Sequence, residues 1–234
     1  LANLKTGEAP PDAVAADPSA TVALRDLFLA RPSLAGSDLR LADTLLARPT
    51  DGIGDTLRHG YTVAAQSRCG PNVCVHYVTS TPDAPADLDW VSTTLATMEE
   101  VYGTTTRAMK FRRPVTDGIR GGDGRLDVYL KNLGPLAVYG YCAPEVVSVS
   151  NRNAASGYCV LDNDFSSEEY RQTPISSLRA TAAHEFFHTV QFAYDFAEDR
   201  WMMESTATWI EERLFSEVDD NRQYLRVSQM RMPR

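Results

Sequence analysis

No run of eighteen apolar residues occurs in this 234-residue chain, so no segment is built to cross a membrane as a helix. Cationic clusters are nearly as scarce. Lys and Arg number 23 against 31 Asp and Glu, a formal net charge of -8, and the one compact basic run, Lys110 with Arg112-Arg113, reads as solvated surface. Without a phosphate-binding face the chain is not expected to bind nucleic acid. Internal repeats and low-complexity tracts are missing. So is CxxC spacing, which argues against a tetrathiolate zinc site. The four cysteines suit two disulfides better: Cys69 and Cys74 enclose the turn-like Gly70-Pro71-Asn72-Val73, leaving Cys142 and Cys159 as the second pair. Buried free thiols and a structural metal are the competing uses. The chain begins with Leu and has no apolar signal segment, which fits a secreted protein trimmed of its export sequence and fits an arbitrary boundary equally well.

What is present divides into three parts and gives an α+β fold class. Residues 1–20, rich in Ala, Pro and Asp, read as a surface arm of the kind a propeptide leaves behind. Residues 21–174 form a lobe of mixed helix and strand. Two short helices are expected between Val22 and Leu46, broken near Pro32 and Gly36. The alternating, β-branched Val73–Val78 reads as a strand, and a helix over 87–109 follows, capped by Asp87 or Asp89. Strands are expected at 126–130, 137–141, 145–149 and 158–161. Residues 175–234 are expected to be helical, with one helix at about 178–197, a charged turn at Glu198-Asp199-Arg200, and a second at 201–215.

The first of those helices contains His184-Glu185-Phe186-Phe187-His188. Residues four apart project to one side of a helix, so both imidazoles can reach one cation, while Glu185 lies 100° around from His184 and can address a water beside it. Ala182, Ala183, Phe186, Phe187, Val190, Phe192 and Phe196 make the helix apolar almost all round, so it should run through the core. There the two histidines and the glutamate need partners, and a metal ion would satisfy them. A hydrolytic zinc site needs a third protein ligand and an open position. The metzincin extension fails, because Gln191 and Tyr194 stand where Gly and His or Asp are required. Asp195 is too far along the helix axis to close on the same ion. Glu204 is better placed, since sixteen residues after His188 allow a turn and a returning helix; Glu211 and Glu212 are the alternatives.

In Trp201-Met202-Met203-Glu204-Ser205-Thr206-Ala207, together with the HExxH segment, the chain resembles the gluzincin zinc metallopeptidases and a group of secreted bacterial metallopeptidases. The resemblance covers about thirty-five residues. It implies Zn2+ held by His184, His188 and Glu204, with Glu185 as general base, and a zinc-dependent endopeptidase that hydrolyses protein or peptide substrates through a metal-activated water. It makes Ala207 the small residue that lets the two helices approach. The family often has an Asp four residues after its glutamate ligand; here that position is Thr208, and Asp195, Gln191 or a backbone carbonyl are candidates to orient an imidazole. The competing readings are an aminopeptidase and a zinc-containing binding module without turnover.

An oxyanion donor is not fixed by local spacing. His59, His76, Tyr170, Tyr194 and Tyr224 each carry a polar hydrogen; Tyr224 is favoured because related folds draw the donor from beyond the second motif. Only some twenty residues follow that motif, so a C-terminal lobe is expected to be absent or separately supplied. Two acidic stretches are candidate Ca2+ sites: Asp117, Asp123 and Asp127 in a Gly-rich loop, and Asp162-Asn163-Asp164 with Glu168-Glu169. Solvated turns are the competing reading of both.

Overall fold

The computed structural model describes residues 20–51, 60–170 and 172–219. All of the expected N-terminal arm but Ala20 lies outside them, as do His59 and Tyr224. Helices α1 (Ala20–Ala30) and α2 (Gly36–Leu45) flank a 3-10 turn at Arg31–Ser33. The break falls at the expected residues: Pro32 occupies the first turn of the 3-10 segment, and Gly36 takes a left-handed φ of 57° that a side chain would resist.

Five strands follow: β1 (Gln66–Cys69), β2 (Val73–Tyr77), β3 (Leu126–Lys131), β4 (Gly140–Val147) and β5 (Ala155–Asp162). They form one sheet in the order β1-β2-β3-β5-β4. Strands β2, β3 and β5 are parallel, and β1 and β4 are antiparallel edges. Helix α3 (Leu88–Gly103) lies between the parallel strands β2 and β3; Asp87 caps it by accepting from the Trp90 N–H at 2.7 Å. Both expected disulfides are present, each joining direct cross-strand partners: Cys69 with Cys74 across β1 and β2, and Cys142 with Cys159 across β4 and β5.

Two strand expectations change. The segments 137–141 and 145–149 are not separate strands; β4 runs through Pro144, with a register shift between Pro144 and Val146. Proline has no ladder donor, and an edge strand tolerates the loss. Strand β1 was not expected, because Gln66–Cys69 is polar and mostly exposed and carries no hydrophobic period.

Alternation along the strands sorts the core. One face directs Val75, Val128 and Cys159 at α3 and at helices α4 (Pro174–Phe192) and α5 (Arg200–Leu214); the other directs Tyr129, Tyr158 and Val160 at Leu24 and Tyr61. Thr173 caps α4 and Asp199 caps α5. Gly140 sets the approach of α4 to the edge strand: a β-carbon there would lie 2.8 Å from the Thr181 Cγ2 and 3.0 Å from the Val160 carbonyl oxygen. Phe186 on α4 is wholly buried against Tyr102, and truncating it to Ala would cost about 3–5 kcal/mol.

Candidate metal centre

Fourteen of the nineteen residues of α4 are buried, so polar side chains on it cannot be left to solvent. His184 and His188 meet edge to face one turn apart, with ring centroids 4.8 Å apart, and each ring is fixed through Nδ1. His188 Nδ1 lies 2.7 Å from Gln191 Oε1. The Gln191 amide nitrogen donates to the Met203 carbonyl and to Thr206 Oγ1, both at 2.8 Å. This network assigns Oε1 as the acceptor and puts the ring proton on His188 Nδ1. His184 Nδ1 lies 2.5 Å from Glu211 Oε1, and a carboxylate can only accept.

The remaining atoms converge. His184 Nε2, His188 Nε2 and Glu204 Oε1 are all buried without a hydrogen-bond partner. One ligand atom from each side chain lies within 4.8 Å of the others. Two separations are 3.4 Å, His184 Nε2 to Glu204 Oε2, and 3.9 Å, His188 Nε2 to Glu204 Oε1. Tetrahedral zinc with bonds of about 2.0–2.2 Å sets its ligands roughly 3.3–3.6 Å apart, close to the first of these separations and a few tenths of an ångström below the second. Buried polar atoms left unpaired cost about 1–3 kcal/mol each, and a cation would satisfy all three.

The electrostatics also call for a positive charge. Burial alone would lower the His184 pKa, but the neighbouring carboxylates of Glu204 and Glu211 hold it well above the ordinary imidazole value. Burial, with the charge of His184 beside it, holds His188 well below. Burial pushes the Glu185 carboxyl up to about 7, against the lowering effects of His184 and Thr21. Glu185 Oε2 accepts a hydrogen bond from Thr21 Oγ1 at 2.7 Å.

Helix α5 comes close to α4 on a seam of Met203, Ala207 and Ile210, all fully buried, and Glu204 enters beside Met203. Gln191, one turn after His188, fills the orienting role for which it was a candidate. Asp195 does not; its carboxylate accepts from the Ala197 N–H in the turn after α4. Glu211, expected only as an alternative ligand, meets the Nδ1 side of His184. Its signal was its place seven residues, two turns, beyond Glu204. Thr21 carried no local signal, being 164 residues from Glu185.

The expected oxyanion donors within the described residues have other engagements. His76 Nε2 lies 2.6 Å from Asp127 Oδ1, with its ring stacked on Tyr129. Tyr170 donates to the Val138 carbonyl, and the Tyr194 hydroxyl accepts from the Arg112 N–H. Of the Gly-rich loop carboxylates, Asp117 and Asp127 bind Arg48, joined by Glu145, while Asp123 turns to Arg125. The second stretch brings Asp162, Asp164 and Glu169 together. Asp162 already accepts from the backbone N–H groups of Leu133, Gly134, Asp164 and Phe165.

No protein-family model, curated protein or solved structure matches this chain.

Proposed function

We propose that this protein is a secreted zinc endopeptidase. The observation that carries the reading is the convergence of three buried, unpartnered donor atoms on His184, His188 and Glu204, with both imidazoles pinned through their opposite nitrogens. These three residues would hold the ion. Zinc supplies a Lewis acid that polarises a peptide carbonyl and brings the pKa of water towards neutrality. Glu185, next to His184 on the same helix, takes up a proton at its carboxylate as water adds to the scissile carbonyl and returns it to the departing amine.

An endopeptidase is favoured over an aminopeptidase by strand β4. It pairs with β5 on one side, and its Cys142 N–H is directed away from that ladder, the kind of edge to which an extended polypeptide can add as a strand. Two disulfides, and the lack among the described residues of any helix long and apolar enough to cross a membrane, support export. The test is a zinc assay paired with hydrolysis of peptides with blocked and free amino termini. Zinc is expected at one ion per chain, with chelator-sensitive cleavage of blocked peptides. Glu185→Gln is expected to lower the rate by about 10²–10⁴ while zinc stays bound. Undiminished hydrolysis by that variant would sink the proposal.

A further inference from the structure

Helix α1 lies against the edge strand β4 and meets the proposed base. Thr21, fully buried in its first turn, makes two hydrogen bonds through one oxygen. Its hydroxyl donates to Glu185 Oε2 at 2.7 Å and accepts from the Cys142 N–H at 2.8 Å. An extended substrate on β4 would need that N–H for strand pairing, and its reacting centre would need Glu185. Thr21 engages both groups. His184 is 7% exposed, Glu185 5% and His188 0%, so a polypeptide cannot reach the base without displacing what covers it.

The helix is clipped down by a second residue. Arg25, 4% exposed, donates through Nη1 to the carbonyls of Phe196 and Glu198 in the turn joining α4 to α5. Only Thr21, Val22, Leu24 and Arg25 of α1's eleven residues are buried. Beyond α1, Ala35 and the first residues of α2, Gly36, Ser37 and Asp38, are exposed.

We infer that α1 is an autoinhibitory cover over the proposed active site, with Thr21 standing in for substrate at Glu185 and at the edge of β4. This rests on the peptidase reading above. Access for a polypeptide requires α1 to be cut free after Ala30 or lifted from the Arg25 clip.

The full-length chain carrying a recognition sequence for a specific protease between Ala35 and Gly36 tests this. Binding of a mixture of end-blocked fluorescent decapeptides is measured by anisotropy before and after the cut, with the protein zinc-loaded and again after chelation. Affinity is expected to rise at least about tenfold on cutting in both states. In the uncut chain, Thr21→Val and Arg25→Gln are each expected to raise it severalfold, a readout that does not depend on releasing the helix. Equal affinity before and after cutting overturns the cover, and so does loss of the near-ultraviolet circular dichroism of the fold on cutting, because a cover must be removable. A cut protein that binds the peptides tightly but does not hydrolyse them when zinc-loaded upholds the cover and overturns the peptidase reading instead.

Discussion

The molecule buries two clusters of opposing charge, one around Arg48 and one between α4 and α5, and they differ in how completely their polar atoms are paired. Arg48 reaches Glu145 through Nε and Nη2, both at 2.6 Å, Asp127 through Nη1 at 2.5 Å, and Asp117 through Nη2. All four side chains are at most 4% exposed. Burial alone would lower the Arg48 pKa, yet its hydrogen bond and charge pairing with Glu145, aided by Asp127, hold the guanidinium firmly protonated. The chain itself supplies the positive charge there. At His184, His188 and Glu204 the pairing is different: Glu211 and Gln191 hold the rings at Nδ1, and His184 Nε2, His188 Nε2 and Glu204 Oε1 face each other without hydrogen-bond partners. A carboxylate-rich cluster with its own arginine is complete without a ligand, whereas donors that lack partners are what the proposed zinc site requires.

Exchanging the lesions between the two clusters tests that distinction. Arg48→Met removes the central charge from three buried carboxylates and is expected to destabilise the fold by about 3–5 kcal/mol in denaturant titrations. Zinc bound per folded chain should not change. His188→Ala is expected to do the opposite, abolishing zinc binding while the metal-free protein loses far less stability than Arg48→Met. If Arg48→Met also released zinc, the two clusters would not be independent.

Zinc itself should act on one cluster only. At a free concentration of 1,000 times its Kd, zinc should stabilise the protein by about 4 kcal/mol. That increment is expected to survive Arg48→Met and to vanish in Glu204→Ala, as read from melting with and without chelator. Removing an orienting partner should be milder: Gln191→Ala and Glu211→Gln are each expected to weaken zinc binding about 10–100-fold in competition titrations. Unchanged affinity in both would show that the imidazoles are held by packing alone.

The smallest effect belongs to pH. Tyr129, which touches Arg48, has its phenol pushed up to about 12, chiefly by burial, and burial holds Tyr158 well above the ordinary value of 10.0. The folded state therefore retains protons that the unfolded chain releases. This stability is full below pH 10 and is lost as pH rises from there through about 12. Near-ultraviolet absorbance should show exposed tyrosines ionising first, with Tyr129 and Tyr158 following only as the fold gives way.

The same contrast separates what the sequence reveals from what it hides. His184 and His188 are legible because helical spacing is local, and α4's apolar surround announces its burial. The cap at Asp87, the break at Pro32 and Gly36, and both disulfides follow from equally short-range rules. The Arg48 cluster is illegible: Asp117 and Asp127, read as part of a Ca2+ loop, take their counter-charge from a residue 69 and 79 positions away. Thr21 is hidden for the same reason. Strand β1 escapes notice because an exposed polar edge has no hydrophobic period, and β4 looks like two strands because Pro144 marks a bulge that only an edge can accept.

The most direct test of the account is an anomalous-scattering map at the zinc edge from crystals of the purified, zinc-loaded protein. One peak is predicted, in contact with His184 Nε2, His188 Nε2 and the Glu204 carboxylate, with Gln191 and Glu211 still on the opposite ring nitrogens. Zinc-loaded crystals with no peak between these residues, or with the ion at the Asp162, Asp164 and Glu169 cluster instead, would contradict it.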